Sequence, residues 1–190
     1  KECSRLEGSK AFSKEFMIKH NIPTAKYKEY TQIDKSIKDI DLFGYPVVIK
    51  ADGLAAGKGV IIAQNHEEAV SALEDMMSDK KFGSAGEKIV VEEFLKGVET
   101  SILAFVDNNT IVPMKSAKDH KKVYNNEEGP NTGGMGTFSP SNIYDDELSK
   151  IVKEEVLDKT LKGFKAENLN YKGILFIGLM ITEDGPKVRI

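Results

Sequence analysis

Cysteine is nearly absent from this sequence, since Cys3 is the only one among 190 residues. A single thiol cannot form an internal disulfide bond, and it cannot supply a cysteine metal cluster. Histidine is also scarce, with three in the chain, so a zinc site is not expected. Because the N-terminus has no apolar signal core, we expect a protein of the reducing cytoplasm.

Other patterns are missing as well. Basic residues form no block and the formal net charge is −3, so no nucleic-acid partner is expected. No apolar run is long enough to span a bilayer, so no membrane partner is expected either. A serine hydrolase has no support, because no Gly-x-Ser-x-Gly motif occurs. The 190 residues are nevertheless enough for a real core, in one domain or two small lobes.

The spacing of apolar residues predicts a mixture of helices and strands. Helices are expected after four capping residues, Ser9, Thr31, Asn65 and Asp145. Strands are expected at 25–29, 88–95, 100–106, 110–116, 172–182 and 186–190, with a hairpin at 47–62. Residues 117–142 have no periodicity and are predicted to form a long loop, which in a compact domain is usually functional or disordered. The first half is therefore predicted to be a small α/β lobe, and the second an antiparallel sheet with one long helix.

A glycine-rich loop joins the two apolar runs of the predicted hairpin. Lys50 ends the first run, and the loop at 53–59 reads Gly-Leu-Ala-Ala-Gly-Lys-Gly. Glycines let the backbone approach a polyphosphate closely, and Lys58 adds a mobile cation. The spacing is not that of a P-loop, which has four residues before its Gly-Lys pair and a Ser or Thr after it. From these residues alone, an ordinary hairpin tip is an equally good interpretation.

Residues 90–99 form a second candidate segment, in which a strand is expected to bend at Gly97. Backbone groups at such a hinge can hydrogen-bond the edge of a purine, and a carboxylate nearby can accept from ribose hydroxyls. Taken alone, the segment is better explained as a solvated strand end with surface glutamates. Beside a phosphate-binding hairpin, the hinge interpretation gains support.

Lysines and glycines are concentrated in the predicted loop, at 116–122 and 129–136. This composition suits an anionic ligand. His120 lies among the lysines and is a candidate base, although a lone histidine in a polar loop is more often a surface residue or a hydrogen-bond donor.

Five motifs together resemble one known family. LEGSKAF, PVVIKADGLAAGKGV, VVEEFLKGVE, DHKK and GPNTGGMG occur in the order and spacing of the phosphoribosylamine–glycine ligases, which belong to the ATP-grasp superfamily. The resemblance covers essentially the whole chain. It implies an α+β protein with the ATP-grasp fold, in which two α/β lobes with mainly antiparallel sheets hold the nucleotide between them.

The resemblance also implies a division of the chain. Residues 1–27 would be the entry segment and first helix of the larger lobe. Residues 28–97 would form the small lobe with its glycine-rich lid, and 98–190 the rest of the larger lobe. The chain begins without Met and stops inside a predicted strand, so we expect a piece of a longer protein that lacks N-terminal and C-terminal domains.

The resemblance assigns roles to individual residues. The phosphates would be reached by the catalytic lysines Lys10 and Lys50. The lid over them would be the loop at 53–59, and the nucleotide-binding residues there would be Asp52, Gly53, Ala56, Gly57, Lys58 and Gly59. The adenine edge would be lined by Glu92, Glu93, Phe94 and Leu95, with Glu99 at the ribose and Lys122 and Asn131 also contacting the nucleotide. A substrate loop would consist of Asp119, His120, Lys121, Pro130, Asn131, Thr132, Gly133, Gly134 and Met135.

The implied reaction joins glycine to 5-phosphoribosylamine with ATP, through a glycyl phosphate, giving glycinamide ribonucleotide, ADP and phosphate in purine biosynthesis. Two departures from the family pattern stand out. The family usually has Arg at the position of Lys122, and lysine lacks the bidentate fork of arginine. The Glu and Asn that bind Mg²⁺ or Mn²⁺ in the family would follow Ile190, so this chain alone is expected to bind nucleotide weakly and turn over poorly.

Two alternatives remain open at this point. One is another carboxylate–amine ligase of the ATP-grasp superfamily, against which the GPNTGGMG loop argues. The other is a nucleotide-binding module without catalysis, which would bind ATP but release no ADP in response to glycine.

Overall fold

The computed structural model describes residues 2–53, 59–78 and 86–190. The chain folds into two compact units. Unit 1 takes in Lys1–Lys19, Thr24–Leu95 and Ile190, and unit 2 takes in His20–Pro23 and Lys96–Arg189. Residues 1–19 are thus grouped with 24–95, whereas the sequence assigned 1–27 to the larger lobe. The sequence-based lobe boundaries stay a prediction.

Unit 1 is built on a four-stranded antiparallel sheet in the order β1-β4-β2-β3. Its strands are β1 (Tyr27–Tyr30), β2 (Val47–Ala51), β3 (Val60–Ala63) and β4 (Ile89–Glu93). The central strands β2 and β4 are rich in Val and Ile because both of their faces are covered. Strands β2 and β3 pair from Val47–Ala63 to Lys50–Val60, which confirms the predicted hairpin.

In the described part of unit 1 the α-helices are α1 (Arg5–Gly8), α2 (Lys10–Lys19), α3 (Ile33–Asp39) and α4 (His66–Met77), and a 3-10 helix (Ile40–Phe43) follows α3. The predicted caps Ser9 and Asn65 are confirmed, since their side-chain oxygens accept from the backbone N–H groups of Phe12 and Glu68. The predicted cap Thr31 is wrong. Helix α3 begins after Gln32, which makes no side-chain capping bond. The start of α3 is held instead by apolar packing of Ile33 and Ile37 against the core.

Unit 2 is built on a second four-stranded antiparallel sheet, in the order β10-β9-β5-β6. Its strands are β5 (Val98–Val106), β6 (Ile111–Pro113), β9 (Gly173–Thr182) and β10 (Gly185–Arg189). Burial alternates along β5, where Thr100, Ile102, Ala104 and Val106 are buried. That alternation is typical of a sheet with one covered face.

The helical segment of unit 2 begins at the predicted cap Asp145, whose carboxylate accepts from Leu148 N–H at 2.8 Å. It consists of α5 (Asp146–Val152), a π-helical turn (Lys153–Leu157) and α6 (Asp158–Ala166). Its apolar side chains Val152, Val156, Leu157 and Phe164 are buried, as are Ile177 and Leu179 of β9. None of the helices in the described ranges has both the length and the apolar character needed to cross a membrane.

The prediction of a structureless loop at 117–142 is wrong. Strands β7 (Lys118–Tyr124) and β8 (Glu128–Phe138) form a two-stranded antiparallel sheet, with register shifts at Lys122. Most side chains of this hairpin are exposed or only half-buried. With no face to bury, the strands need no alternation of apolar and polar residues, and the sequence therefore carries no period of two. The fold is α+β with antiparallel sheets, as predicted.

Candidate active site

Lys50 is a buried lysine in the middle of the sheet of unit 1. In β2 it pairs with Val60 of β3 on one side and Val90 of β4 on the other. Its Nζ lies 2.9 Å from Glu92 Oε1 and donates to the backbone oxygen of Ile190 at 2.8 Å. Because a buried ammonium is costly without a counter-charge, Glu92 is the group that makes this position tolerable.

Lys14 approaches the same carboxylate from helix α2. Its Nζ lies 3.2 Å from Glu92 Oε2, and it donates to Thr24 Oγ1 at 2.8 Å and to the Ala25 carbonyl at 3.2 Å. The Lys14 side chain has 0% exposure. Burial and the nearby Lys50 lower the pKa of Lys14 to about 8, although Glu92 opposes them.

Lys10 lies one helical turn before Lys14 and is more accessible. Its Nζ donates to the Gly53 carbonyl at 3.0 Å, where the described part of the glycine-rich loop begins. Burial, followed by repulsion from Lys50, lowers the pKa of Lys10. The repulsion shows that Lys10 and Lys50 lie close enough for their charges to interact.

Asp52 joins the start of α2 to the end of β2. Its carboxylate accepts from Ala11 N–H at 2.7 Å and from Ser9 Oγ at 3.1 Å. Its backbone carbonyl accepts from Lys10 N–H at 3.2 Å. A carboxylate at a helix N-terminus satisfies free N–H groups and complements the helix dipole. The position of Lys10 beside the hairpin is therefore fixed by Asp52.

The hairpin that carries the glycine-rich loop closes where Ala51 N–H donates to the Gly59 carbonyl at 2.8 Å. Gly53 is half-buried and Gly59 is buried. The predicted lid residues Ala56, Gly57 and Lys58 lie outside the described residues.

The predicted adenine segment continues β4. Glu93 is anchored at the strand end, since its Oε1 accepts from Lys26 N–H at 2.9 Å, while Phe94 has an exposed fraction of 36%. Regular strand structure stops after Glu93 and resumes at Val98, so the predicted bend at Gly97 is present. In unit 2, Glu99 forms an ion pair with Arg189.

The hairpin β7–β8 of unit 2 brings the predicted substrate-loop residues together. A cleft of about 450 Å³ is lined by His120, Lys122, Val123, Tyr124, Asn125, Asn126 and Met135. The ring of His120 stacks on Phe138 with 5.6 Å between ring centroids. The backbone of Asn131 pairs with Lys122, and the Asn131 side chain lies outside what the structure describes.

Thr132 connects the two strands of this hairpin through its hydroxyl group. Its hydroxyl donates to the Lys121 carbonyl at 2.9 Å and accepts from Gly134 N–H at 3.1 Å. Gly134 has a φ of +129°, and a Cβ there would lie 3.2 Å from Asp119 Oδ1. Asp119 in turn lies 3.9 Å from Lys121 Nζ. Pro130, Gly133 and Met135 are exposed along the same strand.

Sequence reasoning missed Lys14 and the contact between Ser9 and Asp52. The signal for Lys14 was available, because it lies three residues after Ala11 and three before Met17, both buried on the inner face of α2. A lysine on the apolar face of a helix needs a buried counter-charge. The Ser9–Asp52 contact joins residues 43 positions apart, which no local pattern reveals.

Residues 8–189 match the family described as phosphoribosylglycinamide synthetase, ATP-grasp (A) domain. The chain belongs to this family. The match covers nearly all of both units and includes the lysines around Glu92, the hinge segment and the β7–β8 hairpin. The fold of the family is therefore ATP-grasp, in agreement with the α+β architecture described above.

Similar proteins from several organisms agree with the family. The chain is 52% identical over 182 residues to a phosphoribosylamine–glycine ligase of Fusobacterium nucleatum, covering 96% of this chain and 43% of that protein. It is 50% identical to a trifunctional purine biosynthetic protein of Gallus gallus, covering 98% of this chain and 19% of that protein. The crystal structure of a Thermotoga maritima phosphoribosylamine–glycine ligase is similar with a TM-score of 0.86 and 37% identity, covering 99% of this chain and 48% of that one. The chain thus spans less than half the length of these relatives.

Proposed function

We propose that the complete protein containing this chain is an ATP-dependent ligase that joins glycine to 5-phosphoribosylamine, forming glycinamide ribonucleotide, ADP and phosphate in purine biosynthesis. The chain would supply the part that binds ATP. Family membership and the names of the relatives support this reaction. The single cysteine agrees with a cytoplasmic setting.

The observation that carries the proposal is the group of lysines in unit 1. Lys14 and Lys50 contact the carboxylate of Glu92 at 3.2 and 2.9 Å, and Lys10 lies close enough to Lys50 for their charges to repel each other. A polyphosphate is a ligand that such a group of lysines attracts. In our proposal Lys10 and Lys50 contact the phosphates, and the glycine-rich loop after Gly53 covers them.

The chemistry requires charge neutralisation more than covalent help from the protein. A carboxylate oxygen of glycine attacks the γ-phosphorus of ATP, the new O–P bond forms, and the bond from that phosphorus to ADP breaks. The amine of 5-phosphoribosylamine then attacks the carbonyl carbon of glycyl phosphate, phosphate leaves, and the amine loses a proton. Lysines and backbone N–H groups stabilise the charge that develops on the phosphoryl oxygens.

The remaining contacts are assigned in the same proposal. Backbone groups of 92–95 would line the adenine, and Glu99 would hold the ribose. Lys122 and Asn131 would contact the nucleotide, and the β7–β8 hairpin would receive the phosphoribosyl substrate. Its cleft, lined by His120 and Lys122, has a suitable size for a phosphate-bearing ligand, and Lys122 supplies a cation.

A divalent metal belongs to this chemistry, because it neutralises the phosphates during transfer. Within residues 2–53, 59–78 and 86–190, no three His, Cys, Asp or Glu side chains are grouped as metal ligands. In our proposal residues outside these ranges hold Mg²⁺ or Mn²⁺, as the resemblance to the family implies.

The proposal is tested with the complete protein by measuring ADP release with each substrate omitted in turn. We expect release only when ATP, glycine and 5-phosphoribosylamine are all present. Lys50→Met should lower kcat/KM at least 100-fold, or about 3 kcal/mol in transition-state stabilisation. The exposed Lys35 of α3 provides the matched control, since Lys35→Met removes the same charge from the surface.

Two outcomes would overturn the proposal. Release of ADP with another carboxylate but not with glycine would indicate a different ligase of the superfamily. Binding of ATP without any substrate-dependent release would indicate a nucleotide-binding module.

A further inference from the structure

Lys14 is placed where it cannot touch a substrate. Its side chain has 0% exposure, and its ammonium faces three protein oxygens, on Glu92, Thr24 and Ala25. The ring of Tyr27 lies on another side, with its centroid 5.5 Å from Nζ. An ammonium has three hydrogens to donate, so these three oxygens can use all of them. Any influence of Lys14 on the reaction must therefore pass through a neighbour.

The neighbour is Glu92, which is shared between two lysines. Oε2 lies 3.2 Å from Lys14 Nζ, and Oε1 lies 2.9 Å from Lys50 Nζ. Among the described residues Oε1 has no partner in hydrogen-bond geometry, so its contact with Lys50 is mainly an attraction between charges. One carboxylate thus serves two ammonium groups, so these three residues together carry a net positive charge.

We infer, on the basis of the proposed function, that Lys14 is a positioning residue. Because Lys14 neutralises part of the negative charge of Glu92, the Lys50 ammonium stays free to bind an ATP phosphate. Without the charge on Lys14, Glu92 and Lys50 form a one-to-one ion pair. Such a pair holds the Lys50 ammonium at Glu92 and cancels the field that a phosphate would meet. Lys14 controls the affinity for ATP without contacting it.

The protonation of Lys14 makes this arrangement sensitive to pH. Burial and Lys50 lower the pKa of Lys14 to about 8, whereas Glu92 and the more distant Glu93 raise it. Lys14 therefore loses its proton as the pH rises through about 8, and Glu92 then forms an ion pair with Lys50 alone. We expect the Kd for ATP to rise between pH 7.5 and 9. The nearby Lys10 also has a lowered pKa and contributes its own pH dependence, so only the part of the rise that needs Lys14 is diagnostic.

The experiment measures the Kd for ATP by calorimetry, and kcat and KM by ADP release, in the complete protein. Lys14→Met keeps an unbranched side chain that is one atom shorter, and it removes the charge. We expect it to raise the Kd and KM for ATP roughly 10-fold, equivalent to about 1.4 kcal/mol. In Lys14→Met the Glu92 carboxylate pairs with Lys50 alone. Adding Glu92→Gln removes that negative charge, so the double variant should regain most of the lost affinity for ATP.

Helix α2 also offers a control. Lys19 is an exposed lysine on the same helix, and Lys19→Met should leave the Kd for ATP and its pH dependence unchanged. In Lys14→Met the rise in Kd between pH 7.5 and 9 should be smaller than in the unmodified protein.

The inference is overturned if the double variant binds ATP no better than Lys14→Met. If Lys14 were purely structural, removing the charge of Glu92 would not restore the affinity for ATP. It is also overturned if Lys14→Met keeps the full pH dependence. Should Lys14→Met fail to fold, a Kd that stays constant from pH 7.5 to 9 in the unmodified protein contradicts it. A protein that binds ATP as described but releases no ADP with glycine would contradict the proposed function alone.

Discussion

Gly97 occupies the point where the hinge segment enters β5. A Cβ at this position would overlap the backbone carbonyl oxygen of Ile181 in β9, and it would lie 3.2 Å from Met180 Cγ. Val98, the next residue, already pairs with Ile181. Glycine is therefore required here because two backbone segments approach each other closely, rather than because the chain must be flexible.

We predict that Gly97→Ala lowers the free energy of unfolding by about 1–3 kcal/mol, the usual cost of inserting atoms into a packed region. Urea titration of the complete protein measures this change. Gly8→Ala is the control, because a Cβ at Gly8 would have no neighbour within 4 Å in the described part of the chain, and it should not destabilise the protein. Equal stability of the two variants would show that β9 moves aside without cost.

Lys14 shows at the same scale what sequence reasoning left out. Lys10 and Lys50 were selected because they belong to motifs that resemble a known family, whereas Lys14 belongs to the helix between motifs. Its role depends on Glu92, which lies 78 positions further along the chain and meets it only after folding. Residue types alone could not reveal a carboxylate shared by two lysines.

Among the elements, helix α2 and strand β2 are joined by Asp52. Its carboxylate accepts from Ala11 N–H and Ser9 Oγ, and its backbone carbonyl accepts from Lys10 N–H. This junction sets the distance between Lys10 on the helix and Lys50 on the strand. The hairpin β2–β3 was predictable from its β-branched runs, but its attachment to α2 was not, because the partners are distant in sequence.

We predict that Asp52→Ala lowers the free energy of unfolding by about 1 kcal/mol, as the loss of a helix cap does, and raises the KM for ATP several-fold. The control is Asn65→Ala, which removes the cap of α4 and should cost similar stability without changing that KM. Urea titration and ADP-release kinetics measure the two effects. If both variants raise the KM equally, the effect of Asp52 on ATP binding is only an effect of stability.

The β7–β8 hairpin is the element that was not predicted from the sequence. Its strands are exposed on most sides, and β8 reads Glu-Gly-Pro-Asn-Thr-Gly-Gly-Met-Gly-Thr-Phe, a composition normally expected of loops. Backbone pairing with β7 and the Thr132 hydroxyl hold it in shape. Strands with no face to bury leave no apolar pattern to read.

We predict that Thr132→Val changes the free energy of unfolding by less than about 0.5 kcal/mol, because the hairpin is exposed. The KM for 5-phosphoribosylamine should rise several-fold, since the bonds to Lys121 and Gly134 are lost. Thr137→Val, at an exposed threonine of β8, should leave that KM unchanged. An unchanged KM in Thr132→Val would contradict the proposal that the hairpin binds 5-phosphoribosylamine.

On the scale of the whole molecule, the strongest conclusion is membership of the family, because residues 8–189 match it and the relatives are about half identical. The strands of both large sheets could be predicted from apolar patterning, whereas the α+β class with the ATP-grasp fold was implied by the resemblance to the family. The function could be proposed only through the resemblance of several motifs, since each motif alone had an ordinary structural explanation. The lysines close to Glu92 then add a physical reason for binding a polyphosphate.

The central claim is that the complete protein activates the carboxylate of glycine by phosphorylation. The most direct measurement uses glycine labelled with ¹⁸O in its carboxylate, together with ATP and 5-phosphoribosylamine, and analyses the phosphate released by mass spectrometry. We predict one ¹⁸O atom in each phosphate, because the oxygen that attacks the γ-phosphorus leaves with it when the amide forms. Phosphate without ¹⁸O, released at the same rate as ADP, would contradict a glycyl phosphate intermediate and the function proposed for this chain.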